Sequence, residues 1–215
     1  MARHIFVDNS NIYGGAQRAA ESRESGSLWM SIRVYYRNFF KLIEGKDIAT
    51  RVLAGSVPPG NEALWQTARD LGYNADLLQR VEQDDGRLTE QAADEMLHLK
   101  IANALLDQKP PQTLVIASGD GRDSQYGTSF PGQAERALRQ GWNVEVWSWG
   151  EQLTNKYNRL CREYPGRIIV KKLDPHFQSI TFVKEGTYTV QGATVTLAGR
   201  VVSPLYLAGK EPQAA

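Results

Sequence analysis

Ile5-Phe6-Val7-Asp8-Asn9-Ser10-Asn11 and, far along the chain, Thr113-Leu114-Val115-Ile116-Ala117-Ser118-Gly119-Asp120 follow one plan. In each, a short unbroken apolar run ends at small polar residues and an aspartate. Such runs mark strands buried on both faces, as in a parallel sheet, whereas strands with one wet face alternate. Working outward, the strand candidates are His4 to Val7, Ile48 to Leu53, Ala75 to Gln79, Thr113 to Ala117, Asn143 to Trp147 and Arg167 to Leu173.

Helical spacing fills the intervals. Leu28 to Ile43 sets Leu28, Ile32, Tyr36, Phe39 and Ile43 on one stripe before Gly45, and Asn61 to Leu71 stops at Gly72. A third helix is predicted from Glu90 to about Leu106, with Thr89 as N-cap and Pro110-Pro111 beyond it. A fourth runs from Pro131 to Gly141 and a fifth from Glu151 to Glu163, ahead of Pro165. Gly14 to Ser27 reads as a long polar loop. The βαβα alternation predicts an α/β fold, a parallel sheet with helices on both faces, over residues 1–173. Ser179 to Val202 alternates in polarity and carries turn signals at Glu185-Gly186 and Gln191-Gly192, so residues 174–215 are expected to form a C-terminal antiparallel hairpin appendage and tail.

With 215 residues, 41% hydrophobic and 23% charged, the chain has the composition of a folded domain and not of a disordered segment. The single Cys161 excludes an intramolecular disulfide, only Ile5, Phe6 and Val7 follow Arg3 and His4, and no apolar run reaches membrane length. A cytoplasmic protein with no membrane partner is expected. A net charge of +1 means that any nucleic-acid contact must come from a local patch.

In an open parallel sheet, ligands bind beyond the carboxyl ends of the strands where the strand order reverses. Asp8 and Asp120 fall at two such ends, and adjacent carboxylates repel unless a cation lies between them, for which Mg²⁺ is suited. Either aspartate alone has an ordinary alternative as a turn cap. Glu90, Asp94 and His98 recur every four residues on the third helix, with Glu95 one position round and Ala93, Met96, Leu97 and Ala104 as core on the other side. A polar helix face is commonly only solvated, so the segment gains weight from three acidic positions that can converge.

At these residues the chain resembles the NYN domain, a branch of the PIN-like metal-dependent ribonucleases with a Rossmann-like sheet. The resemblance rests on Val-Asp-Asn-Ser-Asn-Ile at 7–12, Glu-Gln-Ala-Ala-Asp-Glu at 90–95 and Ala-Ser-Gly-Asp-Gly at 117–121, and it spans Arg3 to Leu173. It implies Asp8, Asp94 and Asp120 as catalytic ligands of Mg²⁺ or Mn²⁺. Asn11 and Ser118 would orient them, and Glu95 or Asp123 would sit in an outer shell. Lys100 and Arg122 stand where many members of the family have further acids.

Arg33, Arg37 and Lys41 are spaced by four and would form a basic stripe on the first predicted helix, with Tyr35 at its border, suited to single-stranded RNA. Arg18 and Arg23 lie in the polar stretch that would fold over substrate. Trp147 and Trp149 project to one side of the sheet and are assigned to packing. Gly119 and Gly121 lack the spacing of a nucleotide-cofactor motif. The expected function is metal-dependent RNA endonuclease, with two alternatives: a non-catalytic PIN-like module that binds RNA or a protein partner, and a metal-dependent phosphatase.

Overall fold

The computed structural model describes residues 1–24, 26–56, 62–78, 80–82, 88–90, 93–124 and 126–206, with backbone alone for 56, 62–63, 76–78, 80–82 and 88–90. In chain order the elements are β1 (Arg3–Asp8), α1 (Asn9–Arg23), β2 (Ile32–Val34), α2 (Tyr36–Ile43), β3 (Ile48–Ser56), α3 (Glu62–Asp70), β4 (Asn74–Leu78), β5 (Arg80–Glu82) and β6 (Leu88–Glu90). There follow α4 (Ala93–Asp107), β7 (Thr113–Ala117), α5 (Phe130–Arg139), β8 (Asn143–Ser148), α6 (Lys156–Glu163), β9 (Ile168–Lys172), α7 (Phe177–Ile180), β10 (Thr181–Val183), β11 (Gly186–Val190) and β12 (Ala193–Leu197).

Six strands form one parallel sheet in the order β4-β3-β1-β7-β8-β9. The period-two alternation of each strand divides the core. Ile5, Val7, Leu53, Val115 and Ala117 face a cluster with Ile12 and Ala16 of α1, Phe39 and Phe40 of α2 and Trp65 of α3. Phe6, Val52, Ala54, Leu114 and Ile116 face a second cluster with Leu97 and Ile101 of α4, Ala134 and Leu138 of α5 and Leu160 of α6. The fold is therefore α/β with helices on both faces. Beyond it, β11 and β12 pair as an antiparallel hairpin whose two-residue turn has both Gln191 (φ 49) and Gly192 (φ 80) left-handed. Among the described residues, no helix is long and apolar enough to cross a membrane.

Several local expectations change. Most of the expected loop is helix, because α1 occupies Asn9–Arg23 and so takes in residues 14–23. Its buried face is Ile12 with Gly15, Ala16, Ala19 and Ala20, small enough for the helix to lie close on the sheet. A face of alanine and glycine has little hydrophobic contrast, which hides it from a periodicity reading although alanine favours helix.

Leu28 to Ile43 is not one helix. Ile32 to Val34 is a strand paired antiparallel with β10, and only Tyr36 to Ile43 is helical. Of the five stripe residues, Leu28 is only partly buried, and Ile32, Tyr36, Phe39 and Ile43 are buried by two elements whose inward positions happen to keep helical spacing. Similarly, α4 begins at Ala93, and Thr89 and Glu90 belong to β6, which pairs with β5. The helix expected from Glu151 is a single turn at 150–152 followed by α6 from Lys156. Only one of the hairpins expected within Ser179 to Val202 forms, because β10 is paired with β2 on one side and bridged to Arg200 through Val183 on the other. The start of α3 at Asn61 and the end of β4 at Gln79 lie outside the described residues. Trp147 and Trp149 do pack in the core, where Trp149 Nε1 donates to Ile12 O (2.9 Å).

A pair of glycine substitutions tests α1. A Cβ on Gly14 would come no nearer than 4.0 Å to Arg18 Nη2, whereas one on Gly15 would fall on the side chains of Gln152 and Trp149. Gly14→Ala is expected to raise stability by about 0.5–1 kcal/mol and Gly15→Ala to lower it by about 1–3 kcal/mol in urea unfolding. Equal effects would restore the loop reading.

Candidate functional site

The strand order runs outward in both directions from β1 and β7, which lie side by side with Val7 opposite Ala117. The chain leaves both strands at the same edge, so Asp8 and Ser118 emerge as neighbours at the crevice where such sheets bind ligands. Asp8 is 5% exposed. Its Oδ1 accepts from Asn11 N (3.0 Å), which makes it the N-cap of α1, and its Oδ2 accepts from Ser118 Oγ (2.9 Å). Asn11 returns the link, its Oδ1 accepting from Gly119 N (2.9 Å), and Ser118 Oγ accepts from Asp120 N (3.2 Å). Gly119 is required here: a Cβ would approach Gln152 O to 2.7 Å and fall on Ser148 Oγ. The turn-cap and site readings of Asp8 thus describe one residue.

Asp8, Asp94 and Asp120 line a single cavity of about 680 Å³, together with Asn11, Glu95, Asp123 and His98. Two arginines, Arg18 and Arg122, face the same space against five carboxylates. Glu90, on β6, is not on the face of α4 that carries Asp94. His98 is not on a solvated face either: it is 3% exposed, with Nδ1 3.0 Å from Thr128 Oγ1 and its ring edge-on to Phe130. Burial lowers its pKa despite the nearby Glu95 and Asp120, and its ring supports Thr128. Asp123 is exposed and held by Lys156 Nζ (3.0 Å).

Among the described residues, no three His, Cys, Asp or Glu side chains are grouped so as to hold a metal ion. One of the acids is paired with a neighbouring cation. Arg122 Nε and Nη2 grip Asp120 Oδ2 at 2.9 and 2.7 Å, and Arg122 N donates to Asp120 Oδ1 (2.8 Å). Burial would raise the Asp120 pKa, but the hydrogen bonds and charge of Arg122 outweigh it and hold the carboxyl below its ordinary range. Arg122 in turn is held protonated by Asp120 first, with Asp94 and Asp8 adding attraction. In kind, the donors suit a hard divalent cation, since carboxylate oxygens that accept one hydrogen bond keep a second lone pair.

The expected basic contacts disperse. Arg33 sits on β2 and spends its guanidinium on Met30 O (2.6 Å) and Ile32 O (2.9 Å), so it does not extend a stripe with Arg37 and Lys41, which are exposed on α2. Arg23 pairs with Asp174 (2.9 Å), whose other oxygen accepts from Gly150 N (2.7 Å), and so braces α1; it is not among the residues that line the cavity. Arg18 does reach the cavity. Ser10 and the exposed Tyr126 also line it and went unnoticed, since neither belongs to a recognisable spacing. Arg122 registered in the sequence only as a missing acid.

No family model matches the chain, and no curated protein matches it. The fold is similar to the crystal structure of a protein of unknown function from Vibrio parahaemolyticus, at 17% identity and a TM-score of 0.57, over 80% of this chain and 94% of that one.

Because Ser118 Oγ donates to a buried carboxylate, Ser118→Ala is expected to destabilise the protein by about 1.5–3 kcal/mol, the range for hydrogen bonds to charged groups. Denaturant unfolding measures it, and a change below about 0.3 kcal/mol would mean that Asp8 is not held by this bond.

Proposed function

We propose that the protein is a Mg²⁺- or Mn²⁺-dependent endonuclease acting on RNA, single-stranded by preference, in the cytoplasm. The observation that carries this reading is that Asp8, Asp94 and Asp120, brought from three distant parts of the chain, line one cavity at the strand-order reversal. The resemblance of the same three segments to the NYN domain supports it. So does electrostatics: a phosphodiester approaching five carboxylates and two arginines is repelled until a cation enters, so an anionic substrate and a cation requirement go together.

In this reading Asp8, Asp94 and Asp120 hold the cation, and Glu95 and Asp123 stand outside them. The chemistry that a bound Mg²⁺ or Mn²⁺ supplies at such a site is a more acidic water and neutralisation of charge on the phosphate. Asn11 and Ser118 keep Asp8 from turning away, through the hydrogen bonds already described. Arg18 offers a phosphate contact at the cavity wall, and Arg37 and Lys41 remain as an exposed basic pair on α2.

Purified protein is expected to cut single-stranded RNA in Mn²⁺ or Mg²⁺ and to stop in a chelator. Asp8→Asn and Asp120→Asn should each slow cleavage by at least about a hundredfold, the scale of a lost electrostatic stabiliser. RNA bound but not cut would favour a non-catalytic module, and hydrolysis of small phosphate esters alone would favour a phosphatase. Cleavage that persists in the chelator would sink the metal-dependent mechanism.

A further inference from the structure

The side chain of Arg122 is 87% exposed while that of its partner Asp120 is 11% exposed. The guanidinium is therefore anchored at one end of a long arm that otherwise lies in solvent. The root of the arm is fixed. Arg122 N donates to Asp120 Oδ1 (2.8 Å), and Gly121 O accepts from Lys156 Nζ (2.7 Å). At Gly121 a Cβ would approach Thr154 Cγ2 to 2.7 Å, so the turn packs tightly against Thr154. The root is fixed, and the tip is held by Asp120 on an arm that is otherwise in solvent. Its flat fork matches a phosphate as well as it matches a carboxylate, because both present paired oxygens to two parallel N–H donors.

Resting on the cation-dependent reading above, we propose that Arg122 is a phosphate-binding arm: its guanidinium, paired with Asp120, passes to the non-bridging oxygens of the RNA phosphodiester when a cation takes its place. The exchange leaves each charge with an opposite partner. A divalent cation on Asp120 removes the attraction that held the guanidinium, and the incoming phosphate supplies a new anion within the same cavity. Asp8 and Asp94 also attract the arm, which keeps the released tip over the cavity. The residue that replaces a family acid thus takes a different task at the same place.

The test compares the full-length wild-type chain with Arg122→Gln in two binding measurements, Mn²⁺ alone by titration and inorganic phosphate in saturating Mg²⁺. Arg122→Gln is expected to bind Mn²⁺ about tenfold more tightly, because the competing cation is gone, and phosphate about tenfold more weakly, because the fork is gone. The opposite signs matter, since a damaged fold would weaken both, and Arg122→Lys should recover only part of the phosphate affinity. Unchanged affinities, shifts in the same direction, or no Mn²⁺ bound by either protein would overturn the proposal. Opposed shifts in a wild-type protein that cuts no RNA would support Arg122 as the arm and remove the nuclease reading.

Discussion

The hydrogen bond from Ser118 Oγ to Asp8 Oδ2 (2.9 Å) joins the ends of two strands that lie 110 residues apart in the chain. It is possible only because β1 and β7 are neighbours at the centre of the sheet, where the strand order reverses. It is needed because Asp8 is a charged group in a nearly closed environment, where a carboxylate without donors is costly. Asn11 N, Ser118 Oγ and the reciprocal contact of Asn11 with Gly119 N meet that need. The same bonds fix the position of α1, which Asp8 caps, and of the turn that carries Asp120 and Arg122. The wall of the cavity follows from satisfying one buried carboxylate.

The central strands and the two aspartates at their ends were legible in the sequence because unbroken apolar runs are a direct consequence of burial on both faces. Val7 and Ala117 ended those runs, and Asp8 and Asp120 beyond them were placed by a topological rule that needs no side-chain detail. What was not legible depended on contact distances or on coincidence of period. The helix α1 hides behind Gly15, Ala16, Ala19 and Ala20, whose small size reflects close packing on the sheet and not low burial. The segment from Leu28 to Ile43 kept helical spacing across a strand and a helix, and the basic stripe of Arg33, Arg37 and Lys41 dissolved with it. His98 looked like a member of a polar face and is core. Arg122 was visible as a departure, but its pairing with Asp120 is a property of the turn and not of the residue list.

That pairing explains how the cavity tolerates its own charge. Five carboxylates share a space with two arginines, and the bidentate contact of Arg122 neutralises Asp120, the acid at the end of the second central strand. Lys156 does the same for Asp123 at the exposed margin. Crowded carboxylates raise one another's energy unless balanced, and Arg122 supplies that balance at Asp120. The fold and the charge balance are properties of the protein described above, while catalysis is the reading proposed for them.

Anomalous diffraction from crystals grown with Mn²⁺ examines this account most directly, because it locates the cation and the arm together. The account predicts an Mn²⁺ peak between Asp8, Asp94 and Asp120, with the Arg122 guanidinium detached from Asp120. A cavity without Mn²⁺ at saturating concentration, with Arg122 still bidentate on Asp120, would contradict it.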